Sequence, residues 1–180
     1  MKQVDEELYQ IIHRAKRGDK EAYAHLVKHF KDPVYRYALG MLNERMDAED
    51  VAQEAFVKAY SAIAGLESEF AFTAWLFRIV SNLAKNRLKT RMRDRDLQTE
   101  VHETMMIDDV TPDPFEKLSM EEALARLTPE HREVVLLHDV QGYRYEEIAQ
   151  VTSVPLGTVK SRLFAARMAL RKELRKGEQP

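Results

Sequence analysis

Between Gly157 and Arg175 the chain places Thr158, Lys160, Ser161, Arg162, Phe164 and Arg167 within about three turns of helix. Hydroxyl, ammonium and guanidinium groups at that spacing can donate to base edges and phosphates in a major groove, and the ring can meet a thymine methyl or a sugar. A second cluster lies upstream. Asn82 and Asn86 are four residues apart, hence on one helix face, and their amides can hydrogen-bond the Watson–Crick edge of a base outside its stack. Lys85, Arg87, Lys89, Arg91, Arg93 and Arg95 interleave with them, and their charges spread around the helix axis, which suits phosphate more than base readout. Phe70, Phe72, Trp75 and Phe77 could stack on single-stranded bases, although Trp75 shares a face with Ile79 and reads first as core. His25 and His29 also share a face and, with Glu49 or Glu54, could hold a metal in a helical enzyme. The sequence lacks both the paired Glu-x-x-His pattern and the His-Glu-x-x-His pattern that such sites use.

The elements that must position these groups are helices, because apolar residues recur at helical spacing: Leu8, Ile11, Ile12 and Ala15, then Ala22, Leu26, Val27 and Phe30. Asp32-Pro33 predicts a fresh helix start before Val34, Tyr37, Ala38, Met41 and Leu42. Asp47 predicts the N-cap of another helix through Val51, Ala52, Ala55, Phe56, Ala59 and Ile63, stopped by Gly65. A longer helix runs from about Phe70 through Trp75, Leu76, Ile79, Val80 and Leu83 into the basic run. From Leu97 to about Phe115 the pattern lapses, with acids at Glu100, Glu103, Asp108, Asp109 and Asp113 and the stretch Thr111-Pro112-Asp113-Pro114, which predicts a flexible linker. Pro114 can start a helix through Leu118, Ala123, Leu124 and Leu127. Three further pieces then follow: Thr128-Pro129-Glu130 opening a short helix, Tyr145 to Val151, and Gly157 to Arg175. The last two form a helix-turn-helix around the turn Thr152-Ser153-Val154-Pro155, with Ile148, Ala149, Val151, Val159 and Leu163 facing inward.

The expected fold is therefore all-α, two small helical domains at 1–96 and 114–180 joined by an acidic linker at 97–113, the second a helix-turn-helix. A length of 180 residues accommodates that division, and 44% apolar residues suits folded protein. A net charge of -2 with 32% charged residues excludes a uniformly basic DNA wrapper and makes the positive charge local. Without cysteine there are no disulfides or thiolate metal sites, which fits a reducing cytoplasm. Met1-Lys2 leads into charged helix, and no run of about 18 apolar residues occurs, so neither secretion nor membrane insertion is expected. No cofactor is called for.

Four groups of residues, in order, carry a family resemblance: Gly18-Asp19 with Ala22-Tyr23; Asp47-Ala48-Glu49-Asp50 with Gln53-Glu54 and Phe56; Trp75-Leu76 with Arg78-Ile79 and Asn82; and Gly157-Thr158-Val159-Lys160-Ser161-Arg162. Together they resemble the bacterial sigma factors of the extracytoplasmic-function group along nearly the whole chain. The resemblance implies a non-enzymatic transcription initiation factor that binds core RNA polymerase and directs it to promoter DNA. It implies Asp47, Asp50, Gln53 and Glu54 as contacts to the polymerase clamp coiled coil. Asn82, Lys85, Asn86 and Arg87, with the loop between Gly65 and Phe72, match the positions that read the -10 element as melted single strand. Thr158, Lys160, Ser161, Arg162, Phe164 and Arg167 match those that read the -35 element as duplex.

Two departures stand out. Arg144 occupies a position that is serine in many relatives and lacks a hydroxyl to cap the following helix, and Ala165 stands where a basic residue is common. The resemblance further implies an anti-sigma partner, commonly membrane-anchored, and a linker whose acids Asp108 and Asp109 could occupy the RNA-exit path. A stand-alone helix-turn-helix regulator would explain the C-terminal half equally well. It leaves the ordered motifs from Asp47 to Asn82 without a role.

Overall fold

The structure, a computed structural model, describes residues 5–101 and 119–176, with side chains through Asp94 in the first stretch and Arg175 in the second. Among the described residues the fold is all-α. Helix α1 (Glu6–Lys16) is capped by Asp5, whose carboxylate accepts from the Leu8 amide at 2.9 Å, and buries Leu8, Ile12 and Ala15. Asp19 caps α2 (Lys20–Leu42) in the same way through Ala22. Pro33 does not start a new helix as expected; α2 passes straight through it. A mid-helix proline removes one backbone donor, but Phe30, Val34, Tyr37, Ala38 and Met41 bury one continuous face across it, and that burial outweighs the missing bond.

Asn43 in the left-handed region ends α2, and α3 (Arg45–Ala62) begins at once. Its N-cap is Glu44, not Asp47: the Glu44 carboxylate accepts from Met46 N at 3.0 Å and Asp47 N at 2.6 Å. Asp47 sits a turn inside, where the positive helix end still favours an acid. Ala48, Ala52, Ala55 and Ala59 are buried and let α3 approach its neighbours closely. Two 3-10 turns, Ile63–Gly65 and Glu69–Ala71, carry the chain into α4 (Phe72–Val101), which starts two residues later than the pattern predicts because Glu69–Ala71 winds more tightly. Helix α4 also outlasts its predicted end near Leu97: between there and Val101 the chain has helix-tolerant residues and neither glycine nor proline, and acidity alone does not stop a helix. The remainder of the linker, with Asp108 and Asp109, lies outside the described residues.

Among the described residues the C-terminal unit begins at Ser119; the helix start expected at Pro114 lies outside them. Ser119 and Glu122 form a reciprocal cap for α5 (Met120–Ala125), with Glu122 N to Ser119 Oγ at 3.2 Å and Ser119 N to Glu122 Oε2 at 2.8 Å. Thr128 caps α6 (Pro129–Val135) with Pro129 in the first turn, and the helix widens into a π turn at Leu136–Val140. Helices α7 (Tyr145–Thr152) and α8 (Leu156–Lys176) make the expected helix-turn-helix, joined through Ser153 at φ 57°. Arg144 holds the N-cap position of α7 without a capping side chain; the Glu147 carboxylate instead reaches back to the Arg144 amide at 2.7 Å, so the helix start survives the missing serine.

The two units do not stand apart. Leu136 of the π turn lies against Gly40, where an added Cβ would come within 2.6 Å of Leu136 Cδ2. The rings of Phe77 and Tyr143 meet at 5.2 Å, and the buried Arg132 guanidinium donates both to its own unit's carbonyls at Leu124 and Leu127 and to the Met41 carbonyl near the end of α2. One apolar core continues through both.

Candidate nucleic-acid interface

Helix α4 sorts its polar side chains onto separate faces. Trp75, Ile79, Asn82 and Asn86 follow at spacings of four, three and four, which makes a single stripe. With Lys58, Ala62 and Leu83 they line a cleft of about 300 Å³ between α3 and α4. Asn82 and Asn86 are exposed and Trp75 is half-buried, so the cleft offers one indole wall and two amides, the equipment needed to hold a base. A second cleft of about 500 Å³ shares the Trp75 wall and is bounded by Gly65, Leu66, Glu67 and Ser68, by Arg78, and by Gln150 of α7. Phe72 and Phe77, each 1% exposed, belong to the core and offer nothing to a strand, whereas Phe70 is exposed and leans on Tyr9.

Lys85 and Arg87 leave that stripe in opposite directions. Lys85 points to the C-terminal unit, its Nζ 2.6 Å from Glu133 Oε2, a charge contact more than a well-directed hydrogen bond. Arg78 turns the same way and donates to Ser153 Oγ. Arg87 faces α3, 3.3 Å from Asp47 Oδ1 and 3.6 Å from Asp50 Oδ2. Arg91, one turn on, sits 2.9 Å from Asp47 Oδ2 and donates to the Leu42 carbonyl. Asp47 is thus engaged twice. The structure gathers Asn82 and Asn86 and holds Lys85 and Arg87 in ion pairs on either side.

On α3, Asp50, Gln53 and Glu54 are exposed, and Glu54 meets Lys58 at 2.9 Å. Sequence reasoning missed their apolar neighbours. Met46, Val57 and Tyr60 are 74%, 66% and 43% exposed and interleave with Asp50 and Gln53 at alternating spacings of four and three. That is the seam a helix presents to a partner helix, and its signal was available in the sequence as a heptad outside the buried face.

On α8, Lys160, Ser161, Phe164 and Arg167 are exposed and Thr158 and Arg162 half-buried. Phe164 is 70% exposed and does not pack on α7. Ser161 Oγ donates to the Thr158 carbonyl at 3.0 Å, while Arg167 forks onto Asp139, which raises its pKa further and ties it to the π turn. Among the described residues Lys160, Arg162 and Phe164 are left as the free edge of this helix. His25 and His29 are both exposed, and among the described residues no three metal-binding side chains come together.

A family model for Sigma-70 region 2 matches residues 26–94, and one for Sigma-70 region 4 matches residues 117–170. The ECF RNA polymerase sigma factor SigW of Bacillus subtilis is 34% identical over 177 residues, covering 91% of this chain and 95% of the relative. This chain belongs to the ECF sigma factors. The RNA polymerase sigma-H factor of Pseudomonas aeruginosa is 35% identical, with 92% of each chain covered. Among solved structures, CnrH in complex with the cytosolic domain of CnrY matches with a TM-score of 0.72 at 25% identity, covering 92% of this chain and 96% of that one. The sigma factor RpoE of Bartonella quintana, in complex with the anti-sigma factor NepR, matches with a TM-score of 0.64 at 26% identity over 87% of this chain and 98% of that one. The protein is a transcription initiation factor of RNA polymerase, and the stand-alone regulator is set aside.

In this sigma factor the loop bounding the larger cleft is tied down by Glu69, which the sequence reading passed over. A carboxylate only accepts, so His13 Nδ1 donates to Glu69 Oε1 at 3.0 Å, and Lys16 Nζ lies 3.2 Å from the same oxygen. The hydrogen bond from His13, the local backbone amide and Lys16 together hold the Glu69 carboxyl down to about 2 from an ordinary 4.5. A depressed carboxylate stabilises the fold fully above its unfolded value and loses that contribution as pH falls through the folded one. Stability should therefore drop between about pH 4.5 and 2, and part of that drop should vanish in Glu69→Gln. Thermal melts at stepped pH would show it; parallel curves for the two proteins would contradict it.

Proposed function

We propose that this sigma factor docks on core RNA polymerase through α3 and reads a promoter in two places, with residues 1–96 on the -10 element as melted strand and residues 114–180 on the -35 element as duplex. The acidic stretch 97–113 links them, and the polymerase carries the chemistry. The observation that supports this best is the pairing of an exposed helical seam, Met46, Asp50, Gln53, Val57 and Tyr60, with a base-sized amide cleft on the adjacent helix. Apolar side chains on the seam supply contact area, and Asp50 and Glu54 supply encounter rate and orientation against a basic partner helix. Asp47 acts indirectly, holding Arg87 and Arg91 beside that seam.

In the cleft, Asn82 and Asn86 would pair with the edge of a base flipped against Trp75. Extrusion costs a few kcal/mol, so the amides and nearby cations must offset it. Asn82→Ala should cut open-complex formation about tenfold, the equivalent of losing one or two hydrogen bonds, while leaving polymerase affinity within twofold. Permanganate footprinting of the melted strand beside a polymerase binding assay separates the two; equal losses in both would refute this division of labour. On the duplex, Lys160 and Arg162 would reach bases or phosphates, with Ser161 and Thr158 close behind and Phe164 against a methyl or sugar.

The structural relatives CnrH and RpoE are bound to CnrY and to the anti-sigma factor NepR, which supports an anti-sigma partner for this chain as well, membrane-anchored in the family's common arrangement. The reading extends to a cytoplasmic factor released in response to stress. Among the described residues no helix is long and apolar enough to cross a membrane.

A further inference from the structure

We propose that this sigma factor latches itself closed through Glu133, and that the latch must open before the -10 strand can be read. The argument rests on the assignment of Lys85 to the -10 surface made above. Glu133, on α6, is wholly buried, yet its carboxylate lies in a site built by the other unit: Ser81 Oγ donates to Oε1, Tyr37 Oη lies 3.5 Å from the same oxygen, and Lys85 Nζ is 2.6 Å from Oε2. Burial and the Glu133 charge push the Tyr37 hydroxyl far above its ordinary pKa, so it stays protonated and able to donate. The neighbouring residue, Arg132, completes the attachment through the Met41 carbonyl. Every anchor comes from this chain.

Closure has a cost in function. It commits Lys85, a candidate phosphate contact, and brings Gln150 to the edge of the cleft behind the Gly65 to Ser68 loop. The reading edge of α8 stays exposed throughout. The Lys85–Glu133 contact itself adds little net energy against opening, because a buried ion pair gains little over its hydrated partners, and DNA phosphate can take the place of Glu133 at Lys85.

The chain has no cysteine, which makes a crosslink test clean. Gly40→Cys with Leu136→Cys removes the side chain that a Cβ at 40 would meet and sets the new thiols across the interface, since that Cβ lies 3.4 Å from Leu136 Cγ. In the free, folded chain the pair should oxidise rapidly and completely. Adding Glu133→Gln should slow oxidation several-fold without loss of helicity. With core polymerase the oxidised protein should form open complexes at least about tenfold less well than the same sample after reduction, because the competent fraction has been removed. Failure to crosslink, or no slowing by Glu133→Gln, would overturn the closed latch. Equal open-complex formation before and after reduction would overturn its role in promoter reading. The effect of Asn82→Ala in the reduced background judges the -10 assignment separately from closure.

Discussion

Core RNA polymerase is expected to bind the Asp50→Arg, Glu54→Arg double variant at least about 100-fold more weakly than the parent chain, a loss of roughly 3 kcal/mol or more. Both carboxylates stand on the outer face of α3, with Asp50 the more open, its side chain 63% exposed, and Glu54 paired only along its own helix to Lys58. Reversal places two cations where a basic partner must approach, and like charges at an interface repel more strongly than a simple truncation weakens. The fold should not suffer, because exposed substitutions away from the core usually cost within about 0.5 kcal/mol. Arg87 keeps its nearer partner, Asp47, when Asp50 is reversed. Biosensor titration against immobilised polymerase measures the loss. Unchanged affinity would remove α3 from the docking surface.

Phe77→Ala is expected to destabilise the folded chain by about 3–5 kcal/mol and lower its melting temperature by roughly 10 °C. Phe77 is 1% exposed and lies where the two units meet, its ring 5.6 Å from Tyr37 on α2 and 5.2 Å from Tyr143 in the C-terminal unit. Truncation leaves a cavity bounded by two rigid rings on different units, which cannot easily collapse. Phe70→Ala and Phe164→Ala, both in exposed rings, should shift stability by no more than about 0.5 kcal/mol. Circular dichroism melts of the three variants test the sorting of aromatics directly. A small effect at Phe77 with a large one at Phe164 would invert it.

These contrasts mark what the sequence made legible. The helix-turn-helix could be placed closely because Thr128-Pro129, the turn at Thr152 to Pro155 and the inward residues Ile148, Val159 and Leu163 are local signals that agree with one another. Asn82 and Asn86 could be put on one face by spacing alone. Pro33 misled because a local breaker competes with burial along a whole face, and only the packed structure weighs the two. Asp47 looked like a cap by composition, but the helix starts earlier, with Glu44 accepting from the Met46 and Asp47 amides, which leaves Asp47 for Arg87 and Arg91. The Glu133 site was invisible for a different reason. Its partners are 48 to 96 residues away in sequence, and a lone glutamate in α6 carries no local sign that Tyr37, Ser81 and Lys85 converge on it.

The central claim is that this chain gives core polymerase its promoter. Transcription from a pooled library of random upstream sequences, with purified chain and core polymerase and every start site mapped, measures that claim in one reaction. The account predicts starts that require the chain and that share two sequence blocks, the upstream one lost in Lys160→Ala with Arg162→Ala and the downstream one relaxed in Asn82→Ala. Starts that do not depend on the chain, or that share no common block, would contradict it.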